Sequence, residues 1–329
     1  MILTRAPLRI PLGGGGTDLP SYYSKYGGFV LSAAINKYVY ISVNRPQVDD
    51  LIRVKYSKSE TVRDLNEVQH DLVREAMRLT GVERGVEIVS MADVPAGTGM
   101  GSSGSFLVAL LQALHAFNRE HIPPARLAEE ACQVEIDIVG SPVGKQDQYV
   151  AAFGGIASFE IAPSGEVKVT PAKFSNHLVD ELRSSLLLFY TGLQRPSMDI
   201  LEDQKQDTVG AKDDVVRSLH VVKGLGLEIR LALEAGDLSR AGELMDVHWQ
   251  QKKLRSEKIS SPVIDRWYEA ARDGGALGGK LIGAGGGGFF LFLCPNSHKR
   301  RLRQVMDAEG LREMPFDFDF EGAKVLVNF

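Results

Sequence analysis

Apolar residues recur along this chain with two distinct periods. In Gly28–Asn44 (GFVLSAAINKYVYISVN), Val39, Ile41 and Val43 alternate with Tyr38, Tyr40 and Ser42, the period-two pattern of a strand. Ile2–Ile10, Leu51–Tyr56, Gly85–Met91, Gly154–Ile161, Leu186–Tyr190, Phe289–Cys294 and Ala323–Asn328 read as further strands. Helical spacing marks Val68–Thr80. It returns more strongly in Phe106, Leu107, Leu110, Ala113, Leu114 and Phe117, an apolar set that predicts a buried helix. Pro123-Pro124 opens a helix reaching about Val139. Asp213–Glu234, Leu238–Glu257, Pro262–Asp273 and His298–Glu309 read as helices, while the polar Asp203–Asp214 fits a loop or a solvated helix. Strands and helices mix without regular βαβ alternation, which predicts an α+β protein. A division near Asn176 separates a domain of residues 1–175 from one of residues 176–329.

Glycine sharpens this picture. The 329 residues include 34 Gly, gathered in three knots: Gly13–Gly16; Gly97, Gly99, Gly101 and Gly104; and Gly283 with Gly285–Gly288. There is no Gly-X-Y period and 44% of residues are hydrophobic, so fibrous and low-complexity classes are excluded. The net charge of -4 gives no basic excess for nucleic acid or an anionic membrane. Cys132 and Cys294 are too few for a disulfide framework and point to a reducing cytoplasm. No apolar run approaches the ~20 residues of a membrane helix. Met1–Arg5 lacks the apolar stretch of a signal peptide. The seven His show no paired metal spacing. Trp249, Trp267 and Tyr268 fit helix packing, Cys132 a small core residue, and His248 a structural role.

The second knot lies between a predicted strand and the predicted buried helix. Its glycines, in Asp93-Val-Pro-Ala-Gly-Thr-Gly-Met-Gly-Ser-Ser-Gly-Ser105, allow positive φ and close approach of backbone to a ligand. The following helix N-terminus offers unpaired N–H groups and a positive dipole end, together a cradle for phosphate. Ser102 and Ser103 can cap that helix, and a hydroxyl here can equally ligate Mg²⁺ beside a phosphate; the plain alternative is a tight turn with a Ser cap. Gly99–Gly104 satisfies G-x-G-x-x-G, but a Pro-containing loop separates it from its strand and no βαβ unit surrounds it. Gly274–Lys280 satisfies G-x-x-x-x-G-K, but Leu281 stands where a Walker loop needs Ser or Thr.

Four segments in order resemble the galactokinase–homoserine kinase–mevalonate kinase–phosphomevalonate kinase (GHMP) superfamily. They are Ala6–Asp18, Pro95–Ser105, the Gly144–Tyr149 stretch, and Lys280–Phe289. The resemblance implies a two-domain fold, with a ribosomal-protein-S5-like N-terminal domain, a ferredoxin-like α/β-plait C-terminal domain, and the active site in the cleft between them. Galactokinases place an acidic residue and a His just before Thr-Asp; here Gly15 and Gly16 stand there. The string PLRIPLGGGGTDLPSYY with GGFVLSAAINKYVYI is similar to the D-glycero-D-manno-heptose 7-phosphate kinase branch, with fucokinase-type domains near it. That implies ATP-dependent phosphorylation of the anomeric C1 hydroxyl of a sugar phosphate, for nucleotide-activated heptose and surface glycans. The missing side chains at Gly15 and Gly16 suit a sugar larger than galactose.

The resemblance also implies roles. Pro95, Gly97, Gly99, Met100, Gly101, Ser102, Ser103 and Gly104 would cradle ATP, and Ser103 and Glu135 would ligate Mg²⁺. Glu135 lies on an otherwise apolar helical segment, as an inward-facing ligand would. Asp147 would be the general base; the alternative is a loop Asp in an Asx turn. Arg9 could steady the transferring phosphoryl, pair with Asp147, or form a plain ion pair. Lys145 could lower the base's pKa, hold a substrate phosphate, or be solvated. Asp18, with Thr17, Gly15 and Gly16, would bind sugar, though Asp18 could instead cap the helix at Pro20. Gly286 would let the second domain close on the site, and Arg195 could reach the substrate phosphate. The expected partner is a small sugar phosphate, and the reading allows a homodimer. Rival classes are another sugar 1-kinase for fucose, mannose or galactose, a non-catalytic sugar sensor, and a dinucleotide-binding oxidoreductase resting only on Gly99–Gly104.

Overall fold

A computed structural model describes the chain except residues 194–196 and 211–212. The elements run β1 (Ile2–Gly13), α1 (Pro20–Tyr26), β2 (Gly28–Asn44), β3 (Ile52–Lys55), β4 (Ser59–Val62), α2 (Asp71–Thr80), β5 (Val86–Ala92), α3 (Ser102–Phe117) and α4 (Pro124–Cys132). A π-helical turn at Gln133–Ile138 leads on to α5 (Gln146–Phe153), β6 (Ile156–Ile161), β7 (Val167–Pro171), α6 (Asn176–Ser185) and β8 (Leu186–Tyr190). The rest is α7 (Ser197–Val209), α8 (Asp213–Glu234), α9 (Leu238–Lys253), α10 (Pro262–Asp273), β9 (Gly278–Leu281), β10 (Phe289–Leu293), α11 (Lys299–Ala308), β11 (Arg312–Glu313) and β12 (Lys324–Asn328).

Two sheets organise these elements. The larger has the strand order β12-β1-β2-β5-β3-β4, with β6 and β7 attached through β2. The long β2 makes this branching possible. Gly28–Ala33 pairs with β6, Val39–Asn44 pairs with β5, and β1 runs antiparallel along both halves. The smaller antiparallel sheet is β11-β8-β10-β9. Phe289–Leu293 is buried at every position, as an apolar run without alternation requires. The closing strand β12 crosses back to pair with β1, so membership of the first sheet does not follow a single cut in the chain.

Helix α3 packs against β1, β2, α2 and α5. Leu107, Leu110, Leu111 and Leu114 on it are fully buried, each contributing about 1.5–3 kcal/mol of transfer free energy. This central position holds the N-terminus of α3 still beside β1. Trp249, Trp267 and Tyr268 pack in the core of the second sheet, as their helical spacing predicts, and Cys132 is buried in the first core. The polar segment Asp203–Asp214 is helical as far as Val209 and again from Asp213, where α8 begins. Patterning alone does not reveal β4, β7, β9, α5 or α6. These are short or polar, and their form comes from neighbours in the sheet and from the core beneath them.

Candidate active site

Arg9 and Asp147 meet where β1, the second glycine knot and α5 converge. Arg9 is buried in β1, Nε donates to Asp147 Oδ1 at 2.8 Å, and Nη1 donates to the carbonyl of Gly99 at 2.5 Å. Its backbone N–H donates to the carbonyl of Met100. Asp147 sits in the first turn of α5. It can come this close because the knot has no side chains there. A Cβ at Gly101 would lie 3.0 Å from Asp147 Cγ, and one at Gly104 would lie 2.8 Å from Asp147 Cβ.

The knot takes the left-handed conformation at Gly97, Gly99 and Gly101, with φ of 78°, 79° and 77°. Gly101 is the N-cap of α3, and among the described residues no side chain caps that end. Ser102 and Ser103 are thus the first helical residues, not its caps, and the buried Ser102 hydroxyl has no partner among the described residues. The uncapped first turn leaves N–H groups and the positive dipole end facing a cavity of about 580 Å³. Tyr56, His70 and Phe106 also line this cavity. His70 stacks on Phe106 at 5.1 Å and meets Tyr56 edge-on at 4.7 Å.

Glu135 faces inward from the π-helical turn, where Val139 N–H bonds back five residues to the Val134 carbonyl. It is 2% exposed and accepts from Gln148 Nε2 at 2.6 Å, with Ser103 near enough to favour its charged form. Burial is the main cause that pushes its carboxyl up to about 7, with Asp147 adding to it. Ser103 and Glu135 therefore bring oxygens near one another, and the buried Gln148 Oε1 of Glu135's partner has no hydrogen bond among the described residues. This donor set suits a hard cation such as Mg²⁺, which takes few protein oxygens and completes its shell with water and phosphate.

A second cavity, of about 90 Å³, opens on the other side of the Arg9–Asp147 pair. Arg9, Asp147, Val143, Leu201, Gly283 and Ala284 line both cavities. Asp18 lines the smaller one; its carboxylate accepts from the N–H groups of Gly16 at 3.0 Å and Gln146 at 3.3 Å. Burial raises its pKa, and Asp147 nearby raises it further. Leu19, not Asp18, is the N-cap of α1, so the capping alternative falls away. The third glycine knot closes the wall by backbone contact. A Cβ on Gly283 would be 2.4 Å from Gly99 Cα, and one on Gly288 would be 2.2 Å from the Thr98 carbonyl oxygen.

Residues 67–155 match the GHMP kinases N terminal domain, and residues 229–311 match the GHMP kinases C terminal domain. Together they take in just over half of the chain. The chain belongs to the GHMP kinase family. Full-length likenesses agree with this. It is 29% identical over 334 residues to the D-glycero-alpha-D-manno-heptose 7-phosphate kinase of Campylobacter jejuni, covering 98% of each chain. It is 26% identical over 364 residues to the galactokinase of Pyrococcus furiosus, covering 99% of this chain and 97% of that one. The crystal structure of a D-glycero-D-manno-heptose 1-phosphate kinase from Bacteroides thetaiotaomicron superposes with a TM-score of 0.82 at 26% identity, both chains covered in full. The architecture is thus the two-domain GHMP kinase fold.

In this GHMP kinase several residues singled out by sequence do not face the cavities. Lys145 turns from Asp147 to pair with Glu129 at 3.0 Å and to donate to the Gly165 carbonyl at 2.7 Å. Its neighbour Asp147 already has Arg9, so Lys145 is left to tie α5 to α4. Thr17 is fully buried, its hydroxyl donating to the carbonyls of Gly14 and Phe29 and accepting from the Phe29 N–H. It braces the glycine turn and lines neither cavity. Gly286 donates its N–H to the Ile259 carbonyl, and Gly283 and Ala284 form the cavity wall instead. Pro95 and Met100 do not line the loop cavity; Met100 is buried in the core and Gly104 packs on Asp147. Arg195 lies outside the described residues.

The first knot divides into two cases. A side chain at Gly15 would meet only Gln146 Oε1, at 3.9 Å, so this position is open. Gly16 is different: its φ is +96°, and a Cβ there would be 2.5 Å from Arg255 Nη1. The space beside Gly16 is filled by a guanidinium, not left for a sugar. Patterning misses Arg255, Lys252 and Lys280, all of which line the smaller cavity. A helical Lys and Arg three residues apart look like a solvated face. The one available signal was Lys280, a lone charge in the otherwise apolar, glycine-rich stretch Gly278–Phe290.

Proposed function

We propose that this GHMP kinase is a Mg²⁺- and ATP-dependent sugar kinase that phosphorylates the C1 hydroxyl of D-glycero-D-manno-heptose 7-phosphate. The products would be the 1,7-bisphosphate and ADP, an early step towards nucleotide-activated heptose for surface glycans. The observation that carries this reading is the meeting of two cavities at the Arg9–Asp147 pair. One has the uncapped helix end and glycine turn that suit a triphosphate, with His70, Phe106 and Tyr56 placed to hold a flat base. The other has Asp18 and an array of cations that suit a polar, anionic acceptor. The full-length likeness to a heptose 7-phosphate kinase supports this choice of acceptor.

Asp147 Oδ1 is taken up by Arg9, and Oδ2 carries no hydrogen bond among the described residues. Oδ2 would orient the acceptor hydroxyl and take its proton as the hydroxyl oxygen bonds to the transferred phosphoryl group. Arg9 holds the carboxylate in place and ties it to the Gly99 carbonyl, so base and cradle keep a fixed spacing. Backbone N–H groups of Gly101–Ser103 would stabilise the phosphate charge. Ser103 and Glu135 would hold Mg²⁺, which neutralises charge on the phosphates when bound. The close approach of Gly99 and Gly283 would help to keep water from the transferred group.

A second reading takes heptose 1-phosphate as acceptor, as the name of the Bacteroides protein has it. A third takes an unphosphorylated sugar, as for the galactokinase and the fucokinases. An assay of ADP release across heptose 7-phosphate, heptose 1-phosphate, free heptose, fucose, mannose and galactose separates them. Heptose 7-phosphate should be turned over fastest, with the new phosphate at C1 by NMR. Equal rates with and without the 7-phosphate would sink the acceptor assignment.

A further inference from the structure

The smaller cavity holds more positive charge than its carboxylates balance. Lys252, Arg255 and Lys280 line it, none more than 7% exposed. Two carboxylates face four cations: Asp147 is paired with Arg9, and Asp18, held by backbone N–H groups, favours the charged Arg255, which leaves two lysines without a carboxylate. Lys252 Nζ donates to the carbonyls of Leu281 and Gly283 at 2.8 and 2.6 Å. Arg255 Nη1 donates to the Gly15 carbonyl at 3.0 Å, while its buried Nη2 has no partner among the described residues. The Lys280 side chain makes no hydrogen bond or ion pair among the described residues, while its backbone pairs with β10. Burial lowers the pKa of Lys280 to about 7 and that of Arg255 to about 10, and the cations repel one another. Buried charges in this state are destabilising until an anion joins them.

We propose that Lys280 and Arg255, with Lys252 behind them, form the binding site for the phosphate monoester that the acceptor sugar already carries. This rests on the acceptor assignment above and names the residues that would enforce it. Position separates this site from the transferred phosphoryl group. Lys252, Arg255 and Lys280 line only the Asp18 side, and none of them lines the cavity of the glycine turn. A phosphate monoester brings a charge of about −1.5 to −2 and three acceptor oxygens. Arg255 Nη2 and Lys280 Nζ would each give it a charge-assisted hydrogen bond. His248, one turn before Lys252 on α9, lines the same cavity with both ring nitrogens unpartnered. Burial holds its pKa well below the usual value, so it would serve as a neutral donor. Gly16 belongs to this device, because only a residue without Cβ leaves Arg255 its place.

Lys280→Met tests the site. It should lower kcat/KM for D-glycero-D-manno-heptose 7-phosphate by roughly 30-fold, the loss of one charged hydrogen bond, and that for free heptose by under about threefold. An equal fall for both acceptors overturns the proposal. A measurement without acceptor turnover keeps the two claims apart. With saturating ADP present, inorganic phosphate should raise the thermal midpoint of the wild-type protein and not that of Lys280→Met. The variant without any anion should melt above the wild type, since it buries one charge fewer. If phosphate stabilises only the wild type but no heptose is turned over, the acceptor assignment fails and the site stands. If heptose 7-phosphate is turned over and Lys280→Met keeps both its preference and its phosphate response, the site is wrong. Arg255→Gln should act in the same direction and replaces Lys280→Met if that variant does not fold.

Discussion

Arg9 Nε lies 2.8 Å from Asp147 Oδ1, joining residues 138 positions apart in sequence across the junction of two cavities. The guanidinium is nearly buried and also holds the Gly99 carbonyl. One side chain therefore sets both the carboxylate that would take the proton and the turn that would hold the nucleotide.

Asp147→Asn should lower turnover by roughly 10²–10⁴-fold, the range of a positioned general base, with ATP affinity within a few-fold of wild type. Steady-state kinetics and nucleotide titration measure the two quantities. Turnover within about threefold of wild type removes Asp147 from the role of base. Combining Asp147→Asn with Arg9→Met should cost far less than the product of the single effects, because both act through one contact.

Gly283→Ala should be destabilising as well as inactivating. Its φ is +69°, and the added Cβ would lie 2.4 Å from Gly99 Cα, backbone against backbone with no flexible atom to yield. The expected cost is about 1–3 kcal/mol, and the thermal midpoint should fall by several degrees. Gly15→Ala is the control, since only Gln146 Oε1 lies within 4 Å of its added carbon. Equal melting of the two variants contradicts the close-contact account.

Ser103→Ala and Glu135→Gln should each raise the Mg²⁺ concentration needed for half-maximal activity, by roughly tenfold or more if they are ligands. A magnesium titration of initial rates measures this. An unchanged midpoint with reduced maximal rate would place both residues in packing alone.

His115 sits on α3 between Glu130, 2.6 Å from Nε2, and Glu120, 2.8 Å from Nδ1. The hydrogen bond to Glu130 is the main cause that raises its pKa above 6.5, against burial. The sign follows from linkage: a raised His pKa stabilises the fold fully below about 6.5 and loses that contribution as pH rises through the folded-state value. Melting of wild type and His115→Gln across pH 5.5 to 9 should therefore show a gap that narrows as pH rises. A gap independent of pH means that His115 acts by packing alone.

Much of the architecture was legible because it rests on local periodicity. Gly28–Asn44, alternating over Tyr38–Val43, is a strand throughout; the Phe106–Phe117 set keeps helical spacing and lies on the largely buried helix α3. The glycine knots and Glu135 in an apolar helix were equally visible, since a backbone that must approach something closely leaves a gap in side chains. Asp147 and Arg9 were named from motif resemblance, but their contact could not be read from residues so far apart. Lys145 shows the converse. Two positions from Asp147, it looks catalytic in the string, yet Glu129 and the Gly165 carbonyl claim it.

By itself, the sequence determined the strands and helices with strong periodicity, the turns where only glycine fits, and the order of the kinase motifs, because each depends on residues close along the chain. Tertiary structure alone decided which charges line the smaller cavity. Lys252 and Arg255 look like solvated helix residues until β9 and the first glycine turn close over them. Gly16, an apparent space for sugar, becomes the seat of Arg255. Desolvation and partner choice are set by what folding brings alongside a side chain, and those neighbours come from distant parts of the chain.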